Sequence, residues 1–256
     1  MNLGHRKPSS GSVLFEEFRG RMPSHESIVA QEIERSVERL ASGADEVRAK
    51  FSAIFSVAQS EALRAYALHQ LVSGDRVLAD CIVSKGRDNL FAELANFFTE
   101  VRRARKAFRI VAFEATAQSL FRRCGLPFEE FSTTDGIRSF VMPSMDDFNA
   151  FSGECIIFAA SGAFNEFWAQ FIVRETQNAT IFLALPRNEV GLVQLERLQK
   201  LPINVLVTSS VKEDVDPHWC FPKLTTFEDF FEVNVSPVLK RWEKRRNQSR
   251  AKLSAA

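Results

Sequence analysis

Apolar positions along the first hundred residues return at intervals of three and four. Val29, Ile33, Val37 and Leu40 follow a Ser at position 24 and are closed by Gly43, which predicts a capped amphipathic helix. Val47, Phe51, Ile54, Phe55 and Ala58 predict a second helix, and Leu63, Tyr66 and Ala67 a third over residues 61–70. Residues 71–75, Leu-Val-Ser-Gly-Asp, then read as a tight turn. Its Ser73 can cap a further helix over residues 76–83, stopped by Ser84-Lys85-Gly86. Two short helices about a Gly-containing turn have the outline of a helix-turn-helix, although any helical hairpin looks similar. A long helix starting near Asn89 carries Leu90, Leu94, Phe97 and Val101 inward.

From residue 108 the period changes. Residues 108–113, 138–142, 155–159, 179–185 and 203–208 are bulky, mostly apolar runs that predict strands. Helices are expected between them: residues 118–124 before Gly125, a short one behind Ser144, one containing Trp168, and one over 193–198. A final helix over 227–245 accommodates Pro237, with a kink. Strand and helix in alternation imply right-handed crossovers and a doubly wound parallel sheet, so the expected fold class is α/β, an all-helical unit followed by that sheet. The expected organisation is an arm over 1–23, a helical unit over 24–104, an α/β unit over 105–246 and a basic tail over 247–256. The run Cys-Ile-Ile-Phe-Ala-Ala-Ser-Gly, ending at Gly162, breaks from strand straight into helix. Such a turn leaves backbone amides at a sheet's carboxyl edge, where ligands are commonly held.

Composition narrows the classes. With 256 residues, 45% of them apolar, the chain can bury a sizeable core. Thirty-three Lys and Arg against 32 Asp and Glu give no overall bias toward nucleic acid, so only local clusters can carry one. The densest is Arg102, Arg103, Arg105, Lys106 and Arg109. It fits either cations at a helix C-terminus or a phosphate-contacting patch. Cys81, Cys124, Cys155 and Cys220 share no Cys-x-x-Cys spacing and read as packed thiols of a cytoplasmic protein. His5, His25 and His69 offer no metal-type spacing, so neither metal nor cofactor is expected. No run is long enough to span a bilayer.

The stretch from about residue 94 to 246 resembles a SIS domain, the sugar isomerase module that binds phosphosugars. Ala-Ala-Ser161-Gly162-Ala-Phe-Asn-Glu166 stands where that family has Ser-x-Ser-Gly-x-Thr-x-Glu, and Thr225-Thr226-Phe227-Glu228 is similar to its closing Gly-Thr-x-Phe-Glu. Residues 62–94 resemble the helix-turn-helix of RpiR-type transcription regulators, through Ala-Leu-His-Gln-Leu-Val-Ser73, Val77-Leu78 and Phe-Ala-Glu-Leu94. The resemblance implies a DNA-binding regulator, a homo-oligomer, that senses a sugar phosphate or related metabolite. It places the ligand on Thr116, Ser161, Gly162 and Glu166, and DNA on Arg64, Ser73, Arg76, Lys85 and Arg87. Two hydroxyl positions of the phosphate cradle are Ala159 and Phe164, and Glu114 and Glu166 bring negative charge, so phosphosugar binding should be weak or altered. On this reading the chain is not an enzyme. The alternative is a SIS-type isomerase or a non-catalytic sugar-phosphate-binding protein, with Glu228 or His218 as the catalytic base.

Overall fold

Ser24 does cap the second helix. In the computed structural model, which describes residues 13–84, 90–132, 138–164, 166–176, 178–215 and 224–254, its side chain accepts from the Ser27 amide. Helix α1 spans Val13–Arg21, within the expected arm, and α2 spans His25–Leu40. A short α3, Ala44–Ala49, leads into α4, Phe51–Ser84, and α5, Leu90–Arg123. Strands β1, Glu129–Ser132, and β2, Arg138–Met142, precede α6, Met145–Phe151, which is capped by Ser144. Then come β3, Ile156–Ala160, α7, Glu166–Glu175, and β4, Thr180–Ala184. The chain continues through α8, Leu192–Gln199, β5, Ile203–Val207, α9, Ser209–Asp214, and β6, Leu224–Thr226. It closes with α10, Phe227–Asp229, a π-helical turn over Phe230–Val235, and α11, Ser236–Ser254. Pro237 follows that turn; a residue without an N–H cannot continue the i→i−4 ladder, which has already shifted to wider spacing.

The six strands lie in chain order. β1, β2 and β3 pair antiparallel, and β3 to β6 pair parallel. The sheet is therefore mixed, and the expected helix-turn-helix followed by a doubly wound parallel sheet is corrected. The turn expected over residues 71–75 is the middle of α4, and the strand expected over 108–113 is the middle of α5. Buried positions explain both. On α4 from Ala62 onward they are Ala62, Tyr66, Gln70, Ser73, Val77 and Cys81, one stripe that crosses the supposed turn without a break. On α5, Phe108, Ala112, Phe113, Thr116, Ala117, Leu120 and Phe121 continue at helical spacing through a run that reads as a strand.

Alternate strand residues feed two layers. Phe140, Met142, Ile156, Phe158, Ala160, Phe182 and Ala184 pack with α2, α4, α5 and the C-terminal helix in one core. Val141, Ile157, Ala159, Ile181, Leu183 and Val205 pack with α7, α8 and α9 on the opposite face. The boundary expected at residue 104 lies inside α5, whose second half belongs to the larger core. That core accounts for the excess of Phe over Tyr. Phe51 stands 4.7 to 6.0 Å from the rings of Phe55, Phe121, Phe227 and Phe231, where a phenol would bury a hydroxyl among rings that offer it no partner. Among the described residues no helix is long and apolar enough to cross a membrane.

Gly74 sits inside α4 with no atom within 4 Å of where a Cβ would stand. An interior helical glycine costs about 0.5–1 kcal/mol relative to alanine, so Gly74→Ala should stabilise the protein by that amount in urea denaturation.

Candidate nucleic-acid interface

The basic cluster is not at a helix end. α5 runs on to Arg123, with Arg122 and Arg123 in its last turn, so the reading of these residues as cations at a helix C-terminus fails for Arg102 to Arg109. Arg102, Arg105, Lys106 and Arg109 are all exposed and lie at i, i+3, i+4 and i+7 on one face, spanning about 10 Å of helix. Arg105 donates from Nε to Gln70 Oε1 at 3.0 Å. Arg103, on the flank, pairs with Glu100. No carboxylate pairs with Arg102, Lys106 or Arg109 among the described residues. Like charges three and four apart on a helix repel by a few tenths of a kcal/mol per pair, so this face is stabilised when a polyanion meets it.

Two cavities lie along the same side of the antiparallel α4–α5 pair. One, of about 510 Å³, has Arg102 and Arg105 in its wall; the other, of about 560 Å³, has Lys106 and Arg109. The second opens at the carboxyl edge of β3 and β4, beside Gly162, Ala163 and Asn188. Glu189 lies there too, but Oε2 accepts from the Phe164 amide at 3.2 Å and Oε1 from Asn188 Nδ2 at 3.0 Å. Gln59 and Asn188 add neutral donors near Lys106 and Arg109. Neither was visible in the sequence. The cations were, and their spacing was the signal.

The turn after β3 is occupied by the protein itself. The Ser161 amide donates to the Ala184 carbonyl at 3.1 Å, and its hydroxyl to the Ala163 carbonyl at 2.6 Å. The Gly162 amide donates to Glu114 Oε1 at 3.3 Å. Thr116 is fully buried on α5, and Glu166 is exposed and pairs with Arg197 at 3.2 Å. Arg64 and Arg76 are exposed on α4, about 18 Å apart along its axis and a third of a turn apart in direction. Ser73 is buried, with its hydroxyl 3.5 Å from the Arg21 carbonyl. Lys85, Arg87 and His218 lie outside the described residues.

Glu228, the runner-up catalytic base, ties α4 to the C-terminal helix. It accepts from the Ser52 amide at 2.8 Å, the Ser52 hydroxyl at 2.7 Å and the Ser209 hydroxyl at 3.0 Å. A carboxylate capping a helix N-terminus in this way is structural. Glu228→Ala should cost about 1–3 kcal/mol, read as a lower urea midpoint.

The fold is similar to that of solved restriction endonucleases. No protein-family profile matches the chain, and no curated protein sequence matches it. Solved structures do: metal-depleted Ecl18kI in complex with uncleaved, modified DNA aligns at TM-score 0.73 and 12% identity, over 91% of this chain and 84% of that one. Metal-depleted Ecl18kI with uncleaved DNA aligns at 0.69 and 13%, over the same shares. The complex of restriction endonuclease PspGI with substrate DNA aligns at 0.62 and 16%, over 87% of this chain and 96% of that one. The reading as an RpiR-type regulator with a SIS domain is thereby corrected, and with it transcription regulation, sugar-phosphate sensing and the isomerase alternative. The expectation that the chain is not an enzyme rested on that reading and falls with it, because these neighbours in fold are enzymes.

Ecl18kI in both of those complexes is metal-depleted. Phosphodiester hydrolysis by metal-activated water needs convergent oxygen ligands. The sheet face beneath α5 presents Phe140, Phe158 and Ala160. Glu26 and Glu114 line a cavity of about 200 Å³ beside Phe140 and Ala160. Among the described residues no group of three His, Cys, Asp or Glu side chains could hold an ion.

Proposed function

We propose that this protein is a duplex-DNA-binding protein of the restriction-endonuclease type, meeting the phosphate backbone with the face formed by Arg102, Arg105, Lys106 and Arg109. The observation that carries this reading is the unneutralised row of cations on α5, beside a cleft that reaches the sheet edge, on a scaffold whose neighbours were solved with DNA. Phosphate contacts position a protein on DNA whatever the sequence. Four of them give a dependence of log affinity on log salt of roughly −3.6, a loss of about a hundredfold between 50 and 200 mM.

Fluorescence anisotropy with a labelled duplex tests the binding. A salt-independent signal, or none at 50 mM salt, would remove the proposal. DNA cleavage is the activity that goes with this scaffold, and supercoiled plasmid with Mg²⁺ reads it directly as nicked or linear product. Intact plasmid alongside demonstrated binding would confine the function to binding.

A further inference from the structure

We propose that the outer face of α11 holds a second segment of duplex DNA, apart from the one assigned to α5, so that one chain bridges two duplexes. Residues 240–252 carry seven Lys and Arg against one Glu, in a chain whose net charge is only +1. Lys240 and Lys244 lie one turn apart on the side of α11 away from Val238, which belongs to the larger core, and Arg241 stands on their flank. All three are exposed, and among the described residues no carboxylate pairs with any of them. The inner face fixes the helix. Trp242 Nε1 donates to Asp147 Oδ2 at 2.9 Å, and Arg245 pairs with Asp147 at 3.6 Å and with Glu154, its guanidinium 4.8 Å from the centre of the Phe151 ring. Asp147 and Glu154 are thereby occupied on the inner side, and the outer cations stand on a rod that needs no reordering to meet a polyanion.

The chemistry of this face selects its partner. Over residues 237–248 no Val, Leu, Ile, Met, Phe or Trp side chain is exposed, so nothing is offered that would enter a bilayer or anchor in a protein pocket. Cations without apolar anchors suit a phosphate backbone. The two basic surfaces also lie at opposite ends of the strands. Glu154, which holds Arg245, precedes β3, and Gly162, in the wall of the α5 cleft, follows it; at ~3.3 Å per strand residue they are roughly 20 Å apart. Their directions differ as well. The line of Arg102, Arg105 and Arg109 runs on along α5 into buried Thr116 and Leu120, whereas Lys240 and Lys244 face away from the core. A straight duplex seated at the α5 cleft therefore does not reach α11. The first duplex rests on the function proposed above; the second does not.

Two populations of one short duplex, labelled with a donor and an acceptor, should show energy transfer when the full chain is added at 50 mM salt. Lys240→Glu combined with Lys244→Glu should lower that transfer at least tenfold, while one duplex per chain still binds with wild-type affinity in anisotropy and the circular dichroism spectrum is unchanged. Lys240→Gln with Lys244→Gln, which adds no repulsion, should lower it less. Reversing Lys106 and Arg109 should also abolish transfer, yet leave a duplex bound that the α11 reversal then releases. If reversal at Lys106 and Arg109 changes nothing, the assignment of α5 fails by itself. Duplex binding without transfer overturns the bridging proposal. So does transfer that survives the α11 reversal, since a dimer joining two α5 faces would then account for it. Co-sedimentation with phosphatidylserine vesicles that the α11 reversal abolishes, in the absence of transfer, would assign the face to a lipid surface and overturn the proposal too.

Discussion

Lys106→Glu combined with Arg109→Glu lowers affinity for duplex DNA by two to three orders of magnitude at 100 mM salt, and flattens the salt dependence from roughly −3.6 to roughly −1.8. Both side chains are exposed and neither has a carboxylate partner among the described residues, so the change removes no internal contact. Reversal does more than delete two phosphate contacts, because each new carboxylate repels the backbone it replaces a cation against. Folding should be unaffected or slightly favoured, since repulsion along α5 is relieved. Measuring the urea midpoint beside the anisotropy titration keeps the two effects apart. If affinity and slope both stay at wild-type values, the phosphate backbone lies elsewhere and the assignment of this face fails.

Gly162→Ala destabilises the protein by about 3 kcal/mol or more, the upper end of what overpacking costs. A Cβ on Gly162 would stand 2.4 Å from the Ile110 Cα and 2.9 Å from its Cβ and Cγ2. Ile110 cannot retreat, because Phe108, Ala112 and Phe113 hold that stretch of α5 in the core. The loop would have to move instead, giving up the Gly162 amide contact to Glu114 and straining the Ser161 amide bond to Ala184. The glycine is thus a packing requirement between a helix backbone and a turn. Its place in a Ser-Gly pair after a strand had suggested ligand binding. Denaturant titration decides: a variant as stable as wild type would mean that loop and helix are not in contact.

Capping residues and strand ends were the legible part of this fold. Ser24 and Ser144 cap the helices they were expected to cap, and the strand expected over residues 138–142 is β2 to the residue. Such signals are local: a hydroxyl three residues ahead of an amide, or a run of bulky residues bounded by turn formers. The reading failed where tertiary packing overruled local chemistry. Gln70 and Ser73 are buried polar members of the α4 stripe and Gly74 a helical glycine, so the very residues that continue that helix looked like its end. Phe108 to Phe113 reads as a strand because both faces of α5 carry bulky residues there, one set covered by the sheet and the other facing the α4 groove. β1 was not anticipated at all. Glu129, Glu130 and Ser132 alternate poorly, and only pairing with β2 defines the strand. Missing that hairpin turned a mixed sheet into a parallel one, and the resemblance to a sugar-binding module followed. For the interface, the cations themselves were legible but their setting was not. Whether they end a helix or line its middle depended on an element boundary misplaced by more than ten residues.

α5 is a rod of 34 residues, about 51 Å long, held in the larger core from Phe108 onward and by Phe97 in a smaller cluster with α1 and α4, with Arg102, Arg105 and Lys106 between the two. The angle at which those charges face outward is therefore a matter of phase. One residue inserted between Lys106 and Phe108 would swing Arg102, Arg105 and Lys106 through about 100° relative to the sheet and carry Phe97 out of its cluster with α1 and α4, while Arg109, beyond the insertion, kept its direction. The spacing between clamp and charges acts as a fixed gear, so length changes in this chain are tolerable in its loops and ruinous there.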